Sequence, residues 1–145
     1  MYHIAKSVSF CYGHRLLDYS GKCRHLHGHN GRAEITLEST RLDRRGMVFD
    51  FGDVKGIVGT FIDGELDHKM ILCRRDPMLA ELKRRGEACF VMEENPTAEN
   101  IAKLIYDFAR SKGLPVASAK LWETETSFAV YDGGKRAGRR SKKKL

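Results

Sequence analysis

Three of the six histidines of the chain lie in one stretch of eight residues, KCRHLHGH, at positions 22–29. Within it, His27 and His29 are two residues apart, and side chains at that spacing on a strand point to the same face. Both share the parity of the apolar positions in a strand predicted over residues 32–40. His14, at the end of the first predicted strand, can join them if the two strands pair. Three neutral imidazoles suit Zn²⁺, so the pattern indicates a metal site.

Cys23 lies beside this set, and its local sequence leaves three interpretations open. As a fourth ligand, it would close the shell of a structural zinc site. As a free thiolate, favoured by its basic neighbours Lys22 and Arg24, it would be a base or nucleophile next to an open metal site. The third interpretation is a loop cysteine without a chemical role.

Two other groups carry chemistry. Asp67 and His68 are adjacent, and the simplest interpretation is a pair of exposed polar residues in a turn. If they face the same cavity, Asp67 would hold the imidazole and raise its proton affinity, which suits acid–base catalysis. Glu123 shares parity with Leu121 on a predicted strand. On position alone an outward glutamate, like Glu125, is the simpler interpretation, whereas an inward Glu123 would suit the adjacent N–H groups of a flat heterocycle.

The elements that position these residues alternate between strand and helix periods. Their order, β-β-α-α-β-β with small insertions, predicts an α+β fold with an antiparallel sheet and helices on one face. The predicted elements are strands over 2–12, 32–40, 46–51, 89–92, 116–124 and 127–132, with helices starting at Asp53, over 76–86 and between Thr97 and Gly113.

The charge of the chain is concentrated at one end. The net charge is +7, but residues 135–145 hold seven Lys or Arg and no acid, which leaves 19 basic and 19 acidic residues in positions 1–134. We therefore predict one domain over 1–134 and a disordered basic tail over 135–145, capable of weak contact with a polyanion. The chain has no membrane-spanning apolar run and no secretory pattern at its start, so we expect a cytoplasmic protein.

Six fragments occur in one order between about residues 8 and 131: FCYGHRL, KCRHLHGHN, VFDFGDVK, LDHKMIL, NPTAENIA and WETETSFAVY. Together they resemble the 6-pyruvoyltetrahydropterin synthases and the related 6-carboxytetrahydropterin synthases. The resemblance implies the tunnelling fold of that family. Its subunits join strands into a trimeric barrel, two trimers stack into a hexamer, and the active sites lie at subunit interfaces.

The resemblance also implies a role for each candidate residue. His14, His27 and His29 match the zinc ligands of the family. Cys23 matches its catalytic proton acceptor, Asp67 and His68 match its proton-transfer pair, and Glu123, with Thr124 beside it, matches the carboxylate that anchors the pterin ring. The chain departs from the family where Tyr12-Gly13 replaces a small pair and where Gly31 replaces a common aromatic residue.

The implied activity is that of a zinc-dependent lyase acting on 7,8-dihydroneopterin triphosphate. One possible product is 6-carboxy-5,6,7,8-tetrahydropterin, formed with release of acetaldehyde and triphosphate on the route to queuosine and related deazapurines. The other is 6-pyruvoyltetrahydropterin, formed by loss of triphosphate alone. The three-residue spacer between Cys23 and His27 resembles that of the carboxy enzymes and favours the first product. A zinc-stabilised RNA-binding module, with Cys23 closing a four-ligand shell, is the alternative from another class.

Overall fold

A long antiparallel pair of strands forms the centre of the protein and carries all three clustered histidines. The computed structural model describes residues 1–134, so the predicted tail at 135–145 lies outside the described residues. The strands are β1 (Tyr2–His14), β2 (His27–Ser39), β3 (Lys69–Cys73), β4 (Cys89–Met92), β5 (Val116–Thr124) and β6 (Ser127–Tyr131).

Among residues 1–134, α-helices are fewer than strands. A 3₁₀ turn covers Lys22–Arg24. The helix α1 begins as an α-helix over Phe51–Val54 and continues with π-helical turns over Lys55–Gly59 and Ile62–Leu66. The helices α2 and α3 cover Met78–Arg84 and Ala98–Ser111. No helix within residues 1–134 is both long enough and apolar enough to cross a membrane.

The sheet is mixed, with the strand order β4-β3-β1-β2-β5-β6. The prediction of an α+β fold is confirmed, but the prediction of an antiparallel sheet is wrong for β3, which runs parallel to both β1 and β4. The cause is the connections. The helix α2 is a crossover that returns the chain from β3 to β4 in the same direction. The chain reverses once from β1 to β2 and again, through α1, from β2 to β3, so β3 is parallel to β1.

Two local predictions also need correction. The strand at Lys69–Cys73 was not predicted, because Ile71, Leu72 and Cys73 are all buried and the segment has no polar alternation. The strand predicted over 46–51 is wrong: residues 46–50 form a loop, and Phe51 begins α1. There the Asp50 side chain accepts hydrogen bonds from the backbone N–H groups at the start of α1, so the segment serves as a helix cap.

The core lies between the inner face of the sheet and the helices α1 and α3. Alternation along β2 is confirmed, since Ala33, Ile35 and Leu37 are buried. The two helices meet through Phe61 and Phe108, whose stacked rings lie 4.0 Å apart between centroids. The outer face of the sheet, on the other side, is more polar and more exposed.

The helix α3 has defined ends, and its start touches the histidine cluster. Thr97 is the N-cap, with its side-chain oxygen accepting the backbone N–H of Asn100. Gly113, with φ of 83°, ends the helix in the left-handed conformation that glycine adopts without strain. The carbonyl of Pro96, just before the cap, faces His14.

Arg15, the residue after His14, fixes the end of β1 through a buried ion pair. Its guanidinium donates two hydrogen bonds to the Asp76 carboxylate, one of them at 2.7 Å from Nε to Oδ2. Asp76 also accepts the backbone N–H of Met78 at 2.8 Å, and its side chain is 0% exposed. Burial alone would raise the pKa of Asp76, but the hydrogen bonds from Arg15 and Met78 outweigh it and hold the pKa below its ordinary value.

We expect Asp76→Ala to lower the free energy of unfolding by about 2–4 kcal/mol at pH 7, because Arg15 loses its buried partner. Denaturant unfolding measures this, with Glu81→Ala as the control, since Glu81 pairs with arginines only on the exposed surface. The lowered pKa means that the Asp76 contribution is present above pH ~3.9 and is lost as pH falls through the folded-state pKa. The two variants should therefore converge in acid, and equal losses at pH 7 would contradict the role of this pair.

Candidate active site

The register of β1 and β2 brings the three histidines together. His14 lies directly opposite His27, at the last position of the ladder, and His29 lies two residues further along β2. The ring centroids of His14 and His27 are 4.5 Å apart, and each lies 5.1 Å from that of His29. One ring nitrogen from each of the three residues lies within 4.8 Å of the others. The clustering predicted from spacing and parity is confirmed.

Two backbone carbonyls determine which ring nitrogen is free in His14 and in His27. The Nδ1 atom of His14 lies 2.7 Å from the carbonyl oxygen of Pro96, and Nδ1 of His27 lies 2.7 Å from that of His25. Because a carbonyl only accepts hydrogen bonds, Nδ1 carries the proton in both rings and Nε2 keeps a lone pair. Both Nε2 atoms are buried and have no hydrogen-bond partner among residues 1–134.

Converging lone pairs without a donor are unfavourable unless a cation binds them. The charge state agrees with this. Burial is the main cause that lowers the pKa of His14, to about 4, and also lowers the pKa of His29. Both rings are therefore neutral at pH 7, the form in which imidazole binds metals. The group His14, His27 and His29 fits a metal ion.

Cys23 and Glu123 line the same cavity as His14, a space of about 340 Å³. The Cys23 backbone is fixed by its carbonyl, which accepts the N–H of Leu16 at 2.8 Å. Within residues 1–134, only the three histidines form a group with metal-ligand spacing. Cys23 is not a member, which is the arrangement expected of an open site and not of a shell closed by cysteine.

Glu123 faces the histidines from β5. Its Oε1 atom lies 3.7 Å from Nε2 of His14 and 3.9 Å from Nε2 of His29. The outward orientation, the simpler interpretation from position alone, is therefore wrong. The side chain instead shares the inner face with Leu121, so its carboxylate is available to the cavity.

The Asp67 and His68 side chains form the predicted pair, but the pair lies on the outer face of the sheet, away from the inner cavity. Nδ1 of His68 lies 2.7 Å from Oδ2 of Asp67, and the other oxygen of Asp67 accepts the N–H of Cys11 at 2.9 Å. That backbone hydrogen bond, followed by the contact with His68, holds the pKa of Asp67 below its ordinary value. The His68 side chain is 79% exposed and lines depressions with Cys11 and Asn30 on the outer face of the sheet.

Thr124 also lies on this outer side. It lines a depression with Asp67, His68 and Trp122, whereas Glu123 lines the inner cavity. Within one chain, the predicted site residues thus form two groups on opposite faces of the sheet. The structure places Glu123 within 4 Å of His14 and His29, and it places Cys23 in the cavity that His14 lines. On the outer side, His68 shares a depression with the backbone region of His27 and His29, whereas Asp67 and Thr124 line a second depression that none of the three histidines lines.

Tyr12, which the sequence marks only as a departure from the family pattern, is a direct neighbour of the histidines. Its ring centroid lies 5.3 Å from that of His14 and 5.6 Å from that of His29, and its side chain is buried. A Cβ atom on Gly31 would lie 2.8 Å from the Tyr12 ring. The two departures from the family pattern therefore compensate for each other, because the glycine vacates the space that the tyrosine fills. Burial, followed by the charge of Glu123, raises the pKa of Tyr12, so its hydroxyl keeps its proton.

We expect Gly31→Ala to lower the free energy of unfolding by about 1–3 kcal/mol, since the buried Tyr12 ring has no space to move away. Chemical denaturation measures the loss. Gly64→Ala is the control, because a Cβ there meets nothing within 4 Å and alanine is favoured over glycine in a helix. A Gly31→Ala protein as stable as the wild type would show that Tyr12 is not fixed by this glycine.

Comparison with known proteins agrees with this geometry. The model of the 6-pyruvoyl tetrahydropterin synthase family matches residues 3–134. The 6-carboxy-5,6,7,8-tetrahydropterin synthase of Rickettsia typhi is 35% identical, with 88% of this chain and 98% of that protein covered. The enzyme of the same name from Aquifex aeolicus is 37% identical, with 90% and 97% covered.

Solved structures give the same result. An uncharacterized protein from Wolinella succinogenes has a TM-score of 0.76 and 30% identity, over 91% of this chain and 98% of that one. The 6-pyruvoyl tetrahydropterin synthase of Caenorhabditis elegans has a TM-score of 0.69 and 23% identity, over 91% and 95%, which is a likeness of fold. The chain belongs to the 6-pyruvoyl tetrahydropterin synthase family. The prediction that it is an enzyme of this family, a lyase, is confirmed.

Proposed function

We propose that the protein is a zinc-dependent lyase that converts 7,8-dihydroneopterin triphosphate and one water molecule to 6-carboxy-5,6,7,8-tetrahydropterin, acetaldehyde and triphosphate. The observation that carries the proposal is the convergence of three imidazoles, of which His14 lines one cavity together with Cys23 and Glu123. The carboxy product is supported by the names of the curated relatives and by the three-residue spacer between Cys23 and His27.

His14, His27 and His29 would hold the zinc ion. Three imidazoles without a fourth protein ligand leave a position for substrate, and zinc supplies Lewis-acid polarisation of a coordinated oxygen. The carbonyls at Pro96 and His25 orient two of these rings through Nδ1, and such partners increase the basicity of the ligating nitrogen.

The other residues bind the substrate and move protons. Glu123 accepts two N–H groups of the pterin ring, because the two oxygens of a carboxylate match adjacent donors. Cys23, in the same cavity, takes a proton from the substrate side chain. His68 donates or relays protons while Asp67 holds its Nδ1, and Thr124 contributes to the pterin site.

These roles require a second chain, because Cys23 and His68 face different cavities of one chain. Within the described part of the chain, the sheet ends at β4 on one side and at β6 on the other, and residues 2–10 of β1 also have no strand beside them on the β3 side. Residues 2–10 of β1 and the strand β6 are the two edges that we assign to assembly. We propose that these edges pair in a trimeric barrel and that two trimers stack into a hexamer. A groove lined by Gly52, Gly56 and Gly59 runs along the β1 edge and leaves room for a neighbouring strand.

Shared sites predict complementation between inactive variants. Cys23→Ala and His68→Ala should each be inactive alone, since each lacks one proton-transfer group. Refolded together in equal amounts, they should recover activity in about one site in four, the fraction in which intact Cys23 and intact His68 meet across an interface. Turnover of the mixture measures this. If each site used residues of one chain only, the mixture would stay inactive.

Two variants separate metal binding from proton transfer. His27→Ala should lose most of its zinc, because two remaining imidazoles hold the ion poorly. Cys23→Ala should keep its zinc while turnover falls by about 10²–10⁴-fold, the usual contribution of a general base. Elemental analysis and a turnover assay distinguish them. Zinc loss in Cys23→Ala as large as in His27→Ala would show that Cys23 is a ligand, as in the RNA-binding module.

The product is tested directly with purified protein and 7,8-dihydroneopterin triphosphate. We expect one acetaldehyde per triphosphate released, together with a pterin of the mass of the 6-carboxy product. A pterin with all three side-chain carbons and no acetaldehyde would identify the 6-pyruvoyl synthase activity instead. No turnover of this substrate would reject both. The cytoplasmic location and the polyanion contact of the tail stay predictions.

A further inference from the structure

The hydroxyl of Tyr12 is a buried polar group without an evident structural purpose. The side chain is 3% exposed, and its hydroxyl has no hydrogen-bond partner among the described residues. Leaving such a donor unpaired costs free energy, and phenylalanine would fill the same space without that cost. A buried, unpaired donor next to a cavity therefore indicates a partner within the site.

The ring that carries this hydroxyl is fixed in place. It stacks on Phe10, with centroids 5.2 Å apart, and meets the ring of His14 edge-on at 5.3 Å. On a third side, it occupies the space left by the missing side chain of Gly31. Contacts on these sides restrict rotation of the ring, so the direction of the hydroxyl is set before any ligand binds.

Glu123 is a suitable hydrogen-bond acceptor for the Tyr12 hydroxyl, because both side chains contact the same two histidines. Its carboxylate contacts Nε2 of both His14 and His29, and the Tyr12 ring packs against those same two imidazoles. The charge of Glu123 adds to burial in raising the pKa of the Tyr12 phenol, which agrees with a carboxylate near the hydroxyl, although no hydrogen bond joins the two groups in this structure. The carboxylate has about four lone-pair positions, so one phenolic donor leaves room for two N–H groups of a heterocycle.

We propose that Tyr12 is a positioning residue: its phenolic O–H is unpaired in the free protein, and when a heterocycle binds it donates a hydrogen bond to the Glu123 carboxylate and orients the carboxylate toward the N–H edge of the ligand. This role rests on the proposed function, in which Glu123 anchors the pterin. The same hydrogen bond would also restrain the Glu123 carboxylate. That carboxylate lies within 4 Å of two imidazole nitrogens and would otherwise be attracted to the metal ion.

Tyr12→Phe tests this role, because it removes the hydroxyl and keeps the ring. In the zinc-loaded protein, we expect KM for the dihydropterin triphosphate and Kd for neopterin, measured by fluorescence, to rise about tenfold. The value of kcat should change by less than about twofold, since orientation of the anchor contributes equally to ground-state and transition-state binding. Zinc content should be unchanged, and stability should be equal or higher, because an unpaired buried hydroxyl has been removed.

Tyr2→Phe is the matched control, since it removes a hydroxyl from an exposed position on the same strand. It should leave KM and Kd at wild-type values. An unchanged Kd in Tyr12→Phe would overturn the proposed role. Inactivity of the wild-type protein would overturn the proposed function itself and this role with it, so the two failures are distinguishable.

A double-mutant cycle with Glu123→Gln separates positioning from direct contact. If Tyr12 acts through the carboxylate, Tyr12→Phe should change Kd for neopterin by less than about twofold in the Glu123→Gln background. The same tenfold change in both backgrounds would mean that the hydroxyl contacts the ligand itself, which would overturn the positioning role.

Discussion

The pairing of β1 with β2 is the constraint on which the site depends. It places His14 opposite His27 and sets all three imidazoles on the inner face, whereas a register shift of one residue would turn one strand's histidines outward. Two carbonyls, at Pro96 and His25, then fix the rings so that their free nitrogens converge. That convergence is electrostatically unfavourable alone, and a cation removes the penalty. Binding of the proposed metal ion would therefore stabilise the end of the hairpin that creates the site.

The division of the predicted residues between the two faces of the sheet would give the proposed assembly a chemical role. The inner face carries the three histidines and Glu123, and Cys23 lines the cavity there with His14 and Glu123. The outer face carries the hydrogen-bonded pair Asp67–His68, to which we assign proton transfer. A closed barrel would bring one face of each subunit to its neighbour and would cover the free edge of β1, which is otherwise exposed to uncontrolled strand pairing.

The local sequence pattern was sufficient for prediction where a single periodicity determines the secondary structure. The parity of His27 and His29 with Ile35, and the capped helix after Thr97, could both be predicted from adjacent residues. The local pattern was not sufficient where contacts with residues distant in sequence determine the structure. The buried strand Lys69–Cys73 has no alternation, and the direction of Glu123 depends on the alignment of β5 with β2.

The exchange between Tyr12 and Gly31 shows the same limit. Each departure is visible in the sequence, but their compensation depends on contact across the β1–β2 pair. Sequence reasoning located both residues near the pocket and had no means of relating them. The unpaired Tyr12 hydroxyl, on which the proposed role of this residue depends, could be recognised only from the structure, because it depends on which groups are buried.

The central claim is an open metal site with three imidazole ligands, and X-ray absorption spectroscopy of the zinc-loaded protein tests it most directly. We predict a first shell of nitrogen and oxygen atoms at about 2.0–2.1 Å, with the multiple-scattering signature of imidazoles and one non-protein ligand that exchanges with added pterin. A sulfur atom at about 2.3 Å would contradict the claim, because it would place Cys23 on the metal and close the site.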